Sequence, residues 1–180
     1  MRWKPKIYLL SLLLCLLSGC WDIRAAENVF YIDAIGIDIK DGNYVIYTQY
    51  VDFSKVAKTE TPTQQPAATP LHTSKSYGRN LMDAMYHLYN LTPRRTSLEH
   101  VKSITISEKV LQKGGIQSFL EFTGRFFHWR RTMWLFVTDK SLDEILSITP
   151  ALNIDPTLNI LSDPVSQYKQ YSNMKPSRLF

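Results

Sequence analysis

The residue with the clearest chemistry is Cys20, which ends the stretch Leu17-Ser18-Gly19-Cys20. A cysteine sulfur can take a lipid by thioether formation, because its thiolate is readily alkylated. Ser18 and Gly19 are small enough for an extended backbone to enter a peptidase groove. The stretch therefore predicts signal cleavage between Gly19 and Cys20, with a diacylglyceryl group on the sulfur and an N-acyl chain. The alternative is a buried cysteine at the end of an apolar helix.

Residues 1–19 have the composition of a lipoprotein signal peptide. Three basic residues, Arg2, Lys4 and Lys6, precede an almost wholly apolar stretch at 7–17. Eleven residues span about 16 Å as a helix, against a hydrocarbon core of about 30 Å. This length favours a signal-peptide apolar region over a transmembrane helix. An uncleaved N-terminal anchor is the alternative.

Loss of residues 1–19 changes both the charge and the cysteine content of the chain. The formal charge falls from +5 to +2, because the leader holds three basic residues and no acidic one. The small remaining charge argues against a nucleic-acid partner. Cys15 leaves with the leader, so Cys20 is the only cysteine that remains, which excludes an intramolecular disulfide and a thiol-based metal site.

The rest of the sequence lacks a recognisable catalytic constellation. It contains no Gly-rich phosphate loop, no HExxH and no CxxC, and no Gly-x-Ser-x-Gly elbow. The histidines are scattered, and Glu99-His100 is a lone neighbouring pair, weak as an acid/base site. We therefore expect no enzyme, no cofactor and no metal site, and an envelope hydrolase is disfavoured.

Several charged groups have two interpretations. Asp33, Asp38 and Asp52 form either a carboxylate cluster or, as we expect, strand ends that face solvent. Arg79 and Asp83 are spaced for a solvated ion pair on a helix, and on that helix His87 is expected at or near the surface.

A further segment, 125–131, alternates basic and aromatic side chains. Nucleic acid, a partner protein and an anionic lipid headgroup all suit such a segment. A helix end with solvated arginines is the favoured interpretation.

The elements that position these residues begin with a hairpin. Residues 28–38 and 44–52 are rich in β-branched and aromatic residues, and Asp41-Gly42 between them is a strong turn signal. Residues 54–72 contain three prolines among small polar residues and predict a mobile loop or insertion.

A helix is predicted over 74–90, capped by Ser74 or Ser76, with Tyr77 in its apolar stripe. A strand at 101–107, a helical turn at 108–115 and a helix at 116–127 follow. The apolar stripe of that second helix is expected to contain Ile116, Phe119 and Leu120 with Phe126 or Phe127.

A strand at 132–138 is nearly all apolar, which predicts burial on both faces. Ser141 and Glu144 form a capping box that starts a third helix. The order β-β-loop-α-β-α-β-α predicts an α/β (α+β) domain with helices packed on a mixed sheet.

Several of these segments together resemble the N-terminal part of the Ger(x)C family, the lipoprotein C subunits of spore germinant receptors. The matching stretches, in chain order, are Leu17 to Asp22 with Arg24, Ile35 to Asp38, Asp41 to Tyr44, Gln49 to Asp52, Gly78 to Leu81, Asp83-Ala84, His100 to Lys102, Ile104 to Ile106, Glu108, Trp134 to Val137 and Glu144 to Leu146. The resemblance runs from about residue 10 to 160.

The resemblance implies a non-enzymatic lipoprotein subunit, anchored through Cys20 to the extracytoplasmic face of the spore inner membrane. Its implied partners are the A and B subunits of a nutrient germinant receptor. The alternative function is a lipid-anchored extracytoplasmic solute-binding protein.

The implied domain organisation has four parts. Residues 1–19 are the signal peptide, 20–27 a membrane-proximal linker and 28–150 a Ger(x)C-like α/β domain. Residues 151–180 are expected to be a weakly structured tail or the start of a following domain, truncated relative to the longer family members.

Overall fold

The structure is a computed structural model that describes Lys6 and residues 29–51, 71–125, 132–147, 161–171 and 175–179. These residues form seven strands and five helices. The strands are β1 (Val29–Lys40), β2 (Asn43–Val51), β3 (Leu71–Gly78), β4 (Arg95–Ser97), β5 (Ser103–Ser107), β6 (Trp134–Thr138) and β7 (Ser177–Arg178). The helices are α1 (Leu81–Asn90), α2 (Glu108–Gln112), α3 (Gly115–Arg125), α4 (Leu142–Ser147) and α5 (Pro164–Tyr171).

One mixed sheet contains all seven strands, in the order β3-β2-β1-β5-β6-β7, with β4 beside β1. The β1–β2, β2–β3 and β6–β7 pairs are antiparallel, whereas β5 and β6 run parallel to β1. The predicted class, a mixed sheet with helices packed on it, is confirmed.

The β1–β2 hairpin turns at Asp41-Gly42, as the sequence predicts. Asp41 has φ +50° and Gly42 has φ +80°, and Lys40 pairs directly with Asn43. A two-residue turn with positive φ at both positions matches the right-handed twist of the strands it joins.

Helices cover both faces of the sheet. On face A, the larger core joins isoleucines of β1, β2 and β5 to Leu81 and Leu88 of α1, Val110 of α2 and Phe119 of α3. On face B, a smaller core joins the other side of β1 and β2 to α4. The chain therefore passes to face A after β5 and to face B after β6.

Gly36 lets α4 pack closely on face B. A Cβ at this position would lie 3.0 Å from the Leu146 Cδ1 and 3.1 Å from the Leu142 Cδ1. The Gln49 side chain donates from Nε2 to the Leu146 carbonyl at 2.8 Å, which ties the end of α4 to β2.

The helix predicted over 74–90 is wrong in its first part. Residues 71–78 form β3, which pairs with β2 from Tyr44 to Val51. The helix begins at Leu81 instead, and Asn80 caps it by accepting from the Asp83 amide at 2.9 Å. The outer edge of β2 offers a full row of backbone partners, and this tertiary pairing overrides the local helical pattern.

The predicted loop at 54–72 is also corrected at its end, because Leu71 and His72 belong to β3. Residues 52–70 lie outside the described residues. The short strand β4 is an element that the sequence does not predict.

Two predicted apolar surfaces are more exposed than expected. On α3, Phe119 and Phe122 are buried, but Ile116 and Leu120 are 44% and 52% exposed; Phe126 and Phe127 lie outside the described residues. Strand β6 is half-buried and Val137 is 55% exposed. Because β6 lies near the edge of the sheet, beside the two-residue β7, its burial on both faces was wrongly predicted.

Of the segment 151–180, which is predicted to be a weakly structured tail or the start of a following domain, the structure describes residues 161–171 and 175–179. Leu161 is buried in the core of face B, α5 follows, and β7 pairs with the start of β6. The polar composition of this segment hides these elements, since they use single apolar residues and backbone hydrogen bonds.

Candidate functional site

The predicted lipid-attachment residue, Cys20, and the cleavage position after Gly19 lie outside the described residues, and both stay predictions. Strand β1 begins nine residues after Cys20, at Val29. Nine extended residues reach at most about 30 Å. A lipid on Cys20 would therefore hold the amino end of β1 close to the membrane surface.

We call the surface around the amino ends of the parallel strands the tether pole, and define it by Phe30, Arg94, Arg95, Trp134 and Arg178. The three arginines are exposed. The Arg94 guanidinium lies 5.4 Å from the Phe30 ring centroid, and that of Arg178 lies 4.6 Å from the Trp134 ring centroid. The tether pole therefore combines basic groups with aromatic rings.

Near the tether pole, Asp33 forms an ion pair with Lys102. Asp33 is 4% exposed, and its Oδ1 lies 2.9 Å from the Lys102 Nζ. Its backbone carbonyl also accepts from the Lys102 amide at 2.8 Å. Asp33 sits at a bulge in the β1–β2 pairing, which turns its side chain out of the regular alternation.

The opposite end of the sheet holds a cleft of about 480 Å³ at the carboxyl ends of β1, β5 and β6. We call this end the cleft pole. The cleft is lined by three ammonium and three carboxyl groups, which belong to Lys40, Lys109, Lys140, Asp38, Glu108 and Asp139. Hydroxyl groups of Ser107, Thr138 and Ser141 complete its polar wall.

Asp38 is the most buried charged group that lines the cleft, at 7% exposure. Its Oδ1 accepts from the Ser107 hydroxyl at 2.5 Å and from the Ile39 amide at 2.8 Å. The expectation that Asp33 and Asp38 face solvent as strand ends is therefore wrong for both. Asp52, the third member of that set, lies outside the described residues.

Beside the cleft, Asp143 of α4 links two lysines. Its carboxylate lies 2.5 Å from the Lys75 Nζ and 3.8 Å from the Lys40 Nζ. The ammonium nitrogen of Lys75 lies 5.5 Å from the Tyr47 ring centroid, and that of Lys40 lies 5.4 Å from it.

These contacts raise the pKa of both lysines. The pKa of Lys75 lies above its ordinary value chiefly because of the hydrogen bond with Asp143. The pKa of Lys40 is raised chiefly by a side-chain hydrogen bond with Tyr47. Lys40 and Lys75 are therefore both positively charged at neutral pH.

Asp83 and His87, two further polar residues considered in the sequence, form contacts within the fold. Asp83 accepts from the Arg79 amide at 2.9 Å, while the predicted side-chain ion pair is long, at 3.9 Å, with Arg79 91% exposed. His87 is exposed, as expected, and its Nδ1 lies 2.5 Å from the Tyr77 carbonyl oxygen.

The Glu99-His100 pair shows no acid/base geometry. The His100 ring packs edge-on against Tyr31 with centroids 4.9 Å apart, and the Glu99 amide donates weakly to the Ser97 hydroxyl at 3.4 Å. His72 is exposed on β3, and His128 lies outside the described residues.

The described residues contain neither a cluster of metal-ligating side chains nor a helix that could span a membrane. In that part of the chain, no group of three or more His, Cys, Asp or Glu side chains could hold a metal ion. No helix there combines the length and apolar composition needed to cross a membrane.

A second depression lies between α1 and α3, with a volume of about 350 Å³. Leu81 and Met82 of α1 form one wall, and Phe122 and Arg125 of α3 form the other. Arg125, the first residue of the basic and aromatic segment, therefore lies in a helix groove; residues 126–131 lie outside the described part of the chain.

The cleft was missed from the sequence because its residues come from three separate strand ends. Asp38 and Ser107 are 69 positions apart, and nothing in either local pattern reports their contact. A usable signal exists, however: polar residues follow each of the parallel strands β1, β5 and β6, whose carboxyl ends meet at one edge.

The sequence matches the family model for the spore germination protein N-terminal domain over residues 22–180. Spore germination protein KC of Bacillus subtilis (strain 168) is 28% identical over 137 residues, which cover 76% of this chain and 34% of that protein. Spore germination protein A3 of the same organism is 24% identical over 161 residues, covering 88% of this chain and 42% of that protein.

This chain therefore spans less than half the length of these two curated relatives. No solved structure matches it.

Proposed function

Because this chain belongs to the family of the spore germination protein N-terminal domain, we propose that it is a lipid-anchored subunit of a nutrient germinant receptor. In this function it is a non-enzymatic binding and assembly component. It is held by Cys20 at the extracytoplasmic face of the spore inner membrane, where it associates with A and B subunits.

The observation that carries the proposal is the position of the family match. The match begins at Asp22 and continues to the last residue, so it starts two residues after the predicted lipid-attachment site. The predicted signal peptide and the predicted lipid-attachment site thus directly precede the residues that the family model matches. This is the arrangement expected of a domain that is delivered across a membrane and kept there.

The tether pole supports the membrane-anchored orientation. Its three exposed arginines lie at the end of the sheet that a lipid on Cys20 would hold near the bilayer. Basic residues close to an anionic membrane surface each contribute about 1 kcal/mol of attraction. The nearby carboxyl of Asp33 is already paired with Lys102, which limits repulsion from the same surface.

In this orientation the cleft pole points away from the membrane. Strand β1 has twelve residues, and a rise of about 3.3 Å per residue makes it about 40 Å long. The helices on face A, with the groove between α1 and α3, lie between the two poles and are accessible to neighbouring subunits from the side.

The proposal is tested with the full chain produced together with its A and B subunits. In Cys20→Ala, membrane association and co-purification with the multi-span partner should fall at least tenfold, or the protein should remain unprocessed. Cys15→Ala, which changes only the leader cysteine, is the matched control and should behave as wild type. Full membrane retention and normal cleavage of the Cys20→Ala protein would exclude the lipid anchor.

A lipid-anchored solute-binding protein that acts alone is the competing function. The same purification separates the two, because an autonomous binding protein would be recovered from the membrane without the multi-span subunits. Stable recovery with those subunits favours the receptor function.

A further inference from the structure

The turn that follows α1 lies at the outermost end of the tether pole. Strand β1 begins at Val29, which pairs with Arg95 at the start of β4. Strand β6 begins further along the sheet, because the register through β5 places Trp134 level with Ala34. Five residues of strand span about 16 Å. Residues 91–95, which we call the tip turn, therefore extend well beyond the start of β6.

Hydrogen bonds hold the tip turn in one conformation. The Leu91 amide donates to the Leu88 carbonyl at 3.1 Å, which closes α1. The Thr92 hydroxyl donates to the Arg94 carbonyl at 3.1 Å and lies 3.1 Å from the Thr96 hydroxyl oxygen. The turn is thus tied both to itself and to β4, so its outward side chains keep a constant arrangement.

The outward side chains of the tip turn combine apolar and basic groups. Leu91 is 53% exposed, and Pro93, Arg94 and Arg95 are exposed. The Arg94 guanidinium stays 5.4 Å from the ring centroid of the half-buried Phe30. A single exposed leucine is common on protein surfaces. An exposed leucine on the same five-residue turn as two guanidinium groups suits the boundary between lipid headgroups and acyl chains, where apolar and basic side chains are stabilised together.

The charge at this end of the sheet is also complementary to an anionic surface. Glu99, in the turn before β5, adds one exposed carboxyl group, whereas the Asp33 carboxylate is paired with Lys102. The two guanidinium groups of the tip turn outweigh the single carboxyl group of Glu99. Guanidinium groups bind phosphate oxygens well, because their planar donors match the geometry of that group.

We propose that the tip turn binds directly to a bilayer that contains anionic phospholipid. Leu91 enters the boundary between headgroups and acyl chains, while Arg94 and Arg95 contact the lipid phosphates. This contact rests on the proposed function, because the predicted lipid on Cys20 keeps the tether pole near the bilayer. A single flexible tether permits many orientations of the domain. A second contact at the tip turn selects the one in which the cleft pole points away from the membrane.

A nitroxide label at Leu91→Cys tests the contact in the full chain, which also carries Cys15→Ser. The protein is reconstituted into vesicles of phosphatidylcholine, with or without roughly one third phosphatidylglycerol. Collisions of the label with a water-soluble nickel chelate should become about threefold rarer on the anionic vesicles, since the label enters the lipid. A label at Lys140→Cys, exposed at the cleft pole, is the control and should react equally on both. A Leu91→Cys label that is equally accessible on both kinds of vesicle would overturn the proposal.

The lipid anchor is read separately in the same experiment. The Cys15→Ser protein without an introduced cysteine is labelled in parallel, and label on it shows that Cys20 has a free thiol. That result would contradict the lipid anchor. The tip turn is then measured in a chain that also carries Cys20→Ser, so its contact with lipid is still tested.

Charge variants define the chemistry of the contact. In the labelled protein, Arg94→Gln/Arg95→Gln should remove most of the protection on anionic vesicles. Arg94→Lys/Arg95→Lys should keep most of it, because the positive charges remain. Full protection in the glutamine variant would overturn the headgroup contact. Protection that appears in detergent only when A and B subunits are present would also overturn it, since the tip turn would then bind protein.

Discussion

Two buried aspartates on β1 show how the ends of this sheet differ. Asp33, towards the tether pole, lies 2.9 Å from the Lys102 ammonium group. Asp38, towards the cleft pole, is bonded to a hydroxyl and an amide instead. Asp33 therefore has a paired cation, whereas Asp38 forms no ion pair within 4.0 Å among the described residues.

The two buried carboxyl groups are therefore stabilised by different kinds of partner. Removing a carboxylate from water costs free energy, which a close cation or several donors must offset. At Asp33 the compensating cation belongs to the same domain, so the contact is complete. At Asp38 the direct partners are two neutral donors, the Ser107 hydroxyl and the Ile39 amide.

Of the variants considered, Gly36→Val should destabilise the cleft pole most. It leaves the Asp33–Lys102 ion pair unchanged. A Cβ there already approaches two leucine side chains of α4 within 3.1 Å, so added methyl groups displace the helix. We expect a loss of about 2–3 kcal/mol in the free energy of unfolding, measured by chemical denaturation. Gly124→Ala, on α3 where a new Cβ meets nothing within 4 Å, is the control and should be neutral or slightly stabilising.

Lys102→Met tests the compensation at the tether end. It leaves the 4% exposed Asp33 without its ammonium partner, and we expect a loss of about 2 kcal/mol in the free energy of unfolding. The expected value is below that for a fully buried pair because the Lys102 side chain is 37% exposed.

The double variant Asp33→Asn/Lys102→Met should recover most of that loss, since no buried charge then remains. A double variant as unstable as Lys102→Met alone would show that the methionine itself, and not the uncompensated carboxylate, causes the effect.

Asp38→Asn tests the cleft end and should have a smaller effect on stability. The amide oxygen still accepts from Ser107 and from the Ile39 amide, so the loss should be about 1 kcal/mol. Chemical denaturation measures the difference, and a loss as large as that of Lys102→Met would contradict the smaller effect expected at Asp38.

Asp143→Asn should have the smallest effect on the free energy of unfolding, and that effect should depend on pH. The pKa of Lys75 is raised above its ordinary value by Asp143, so this contact stabilises the fold below the unfolded pKa of about 10.4 and loses its effect as pH rises through the folded pKa.

Because both side chains are about 40% exposed, we expect a change below about 0.5 kcal/mol at neutral pH. The difference in the free energy of unfolding between wild type and Asp143→Asn should shrink further as pH rises above the unfolded pKa of about 10.4. If the free energies of unfolding of wild type and Asp143→Asn differed by the same amount at every pH, the Lys75–Asp143 contact would not be ionic.

The sequence predicts the hairpin and the fold class well because their signals are local. Asp41-Gly42 fixes the turn chemistry, and the flanking β-branched residues identify both strands. It fails at β3, where Tyr77 and Leu81 fall at helical spacing although the strand ends at Gly78 and the helix begins only at Leu81. The deciding contact is the pairing with β2, which no local pattern contains.

The cleft could be predicted only in part for the same physical reason. The alternation along β1 puts Ala34, Gly36 and Asp38 on one face of the sheet. Because these residues are small or polar, the sequence predicts that this face is exposed to solvent. Packing of Leu142 and Leu146 against Gly36 converts it into a covered face. The partners of Asp38 then come from a strand 69 residues away, beyond the reach of periodicity.

The lipid on Cys20 is the central claim, and metabolic labelling with radioactive palmitate tests it most directly. The full chain has two cysteines, Cys15 and Cys20, which makes each the control for the other. We predict that the wild-type and Cys15→Ser proteins take up label while Cys20→Ser does not. Label retained in Cys20→Ser at the wild-type level would contradict the account.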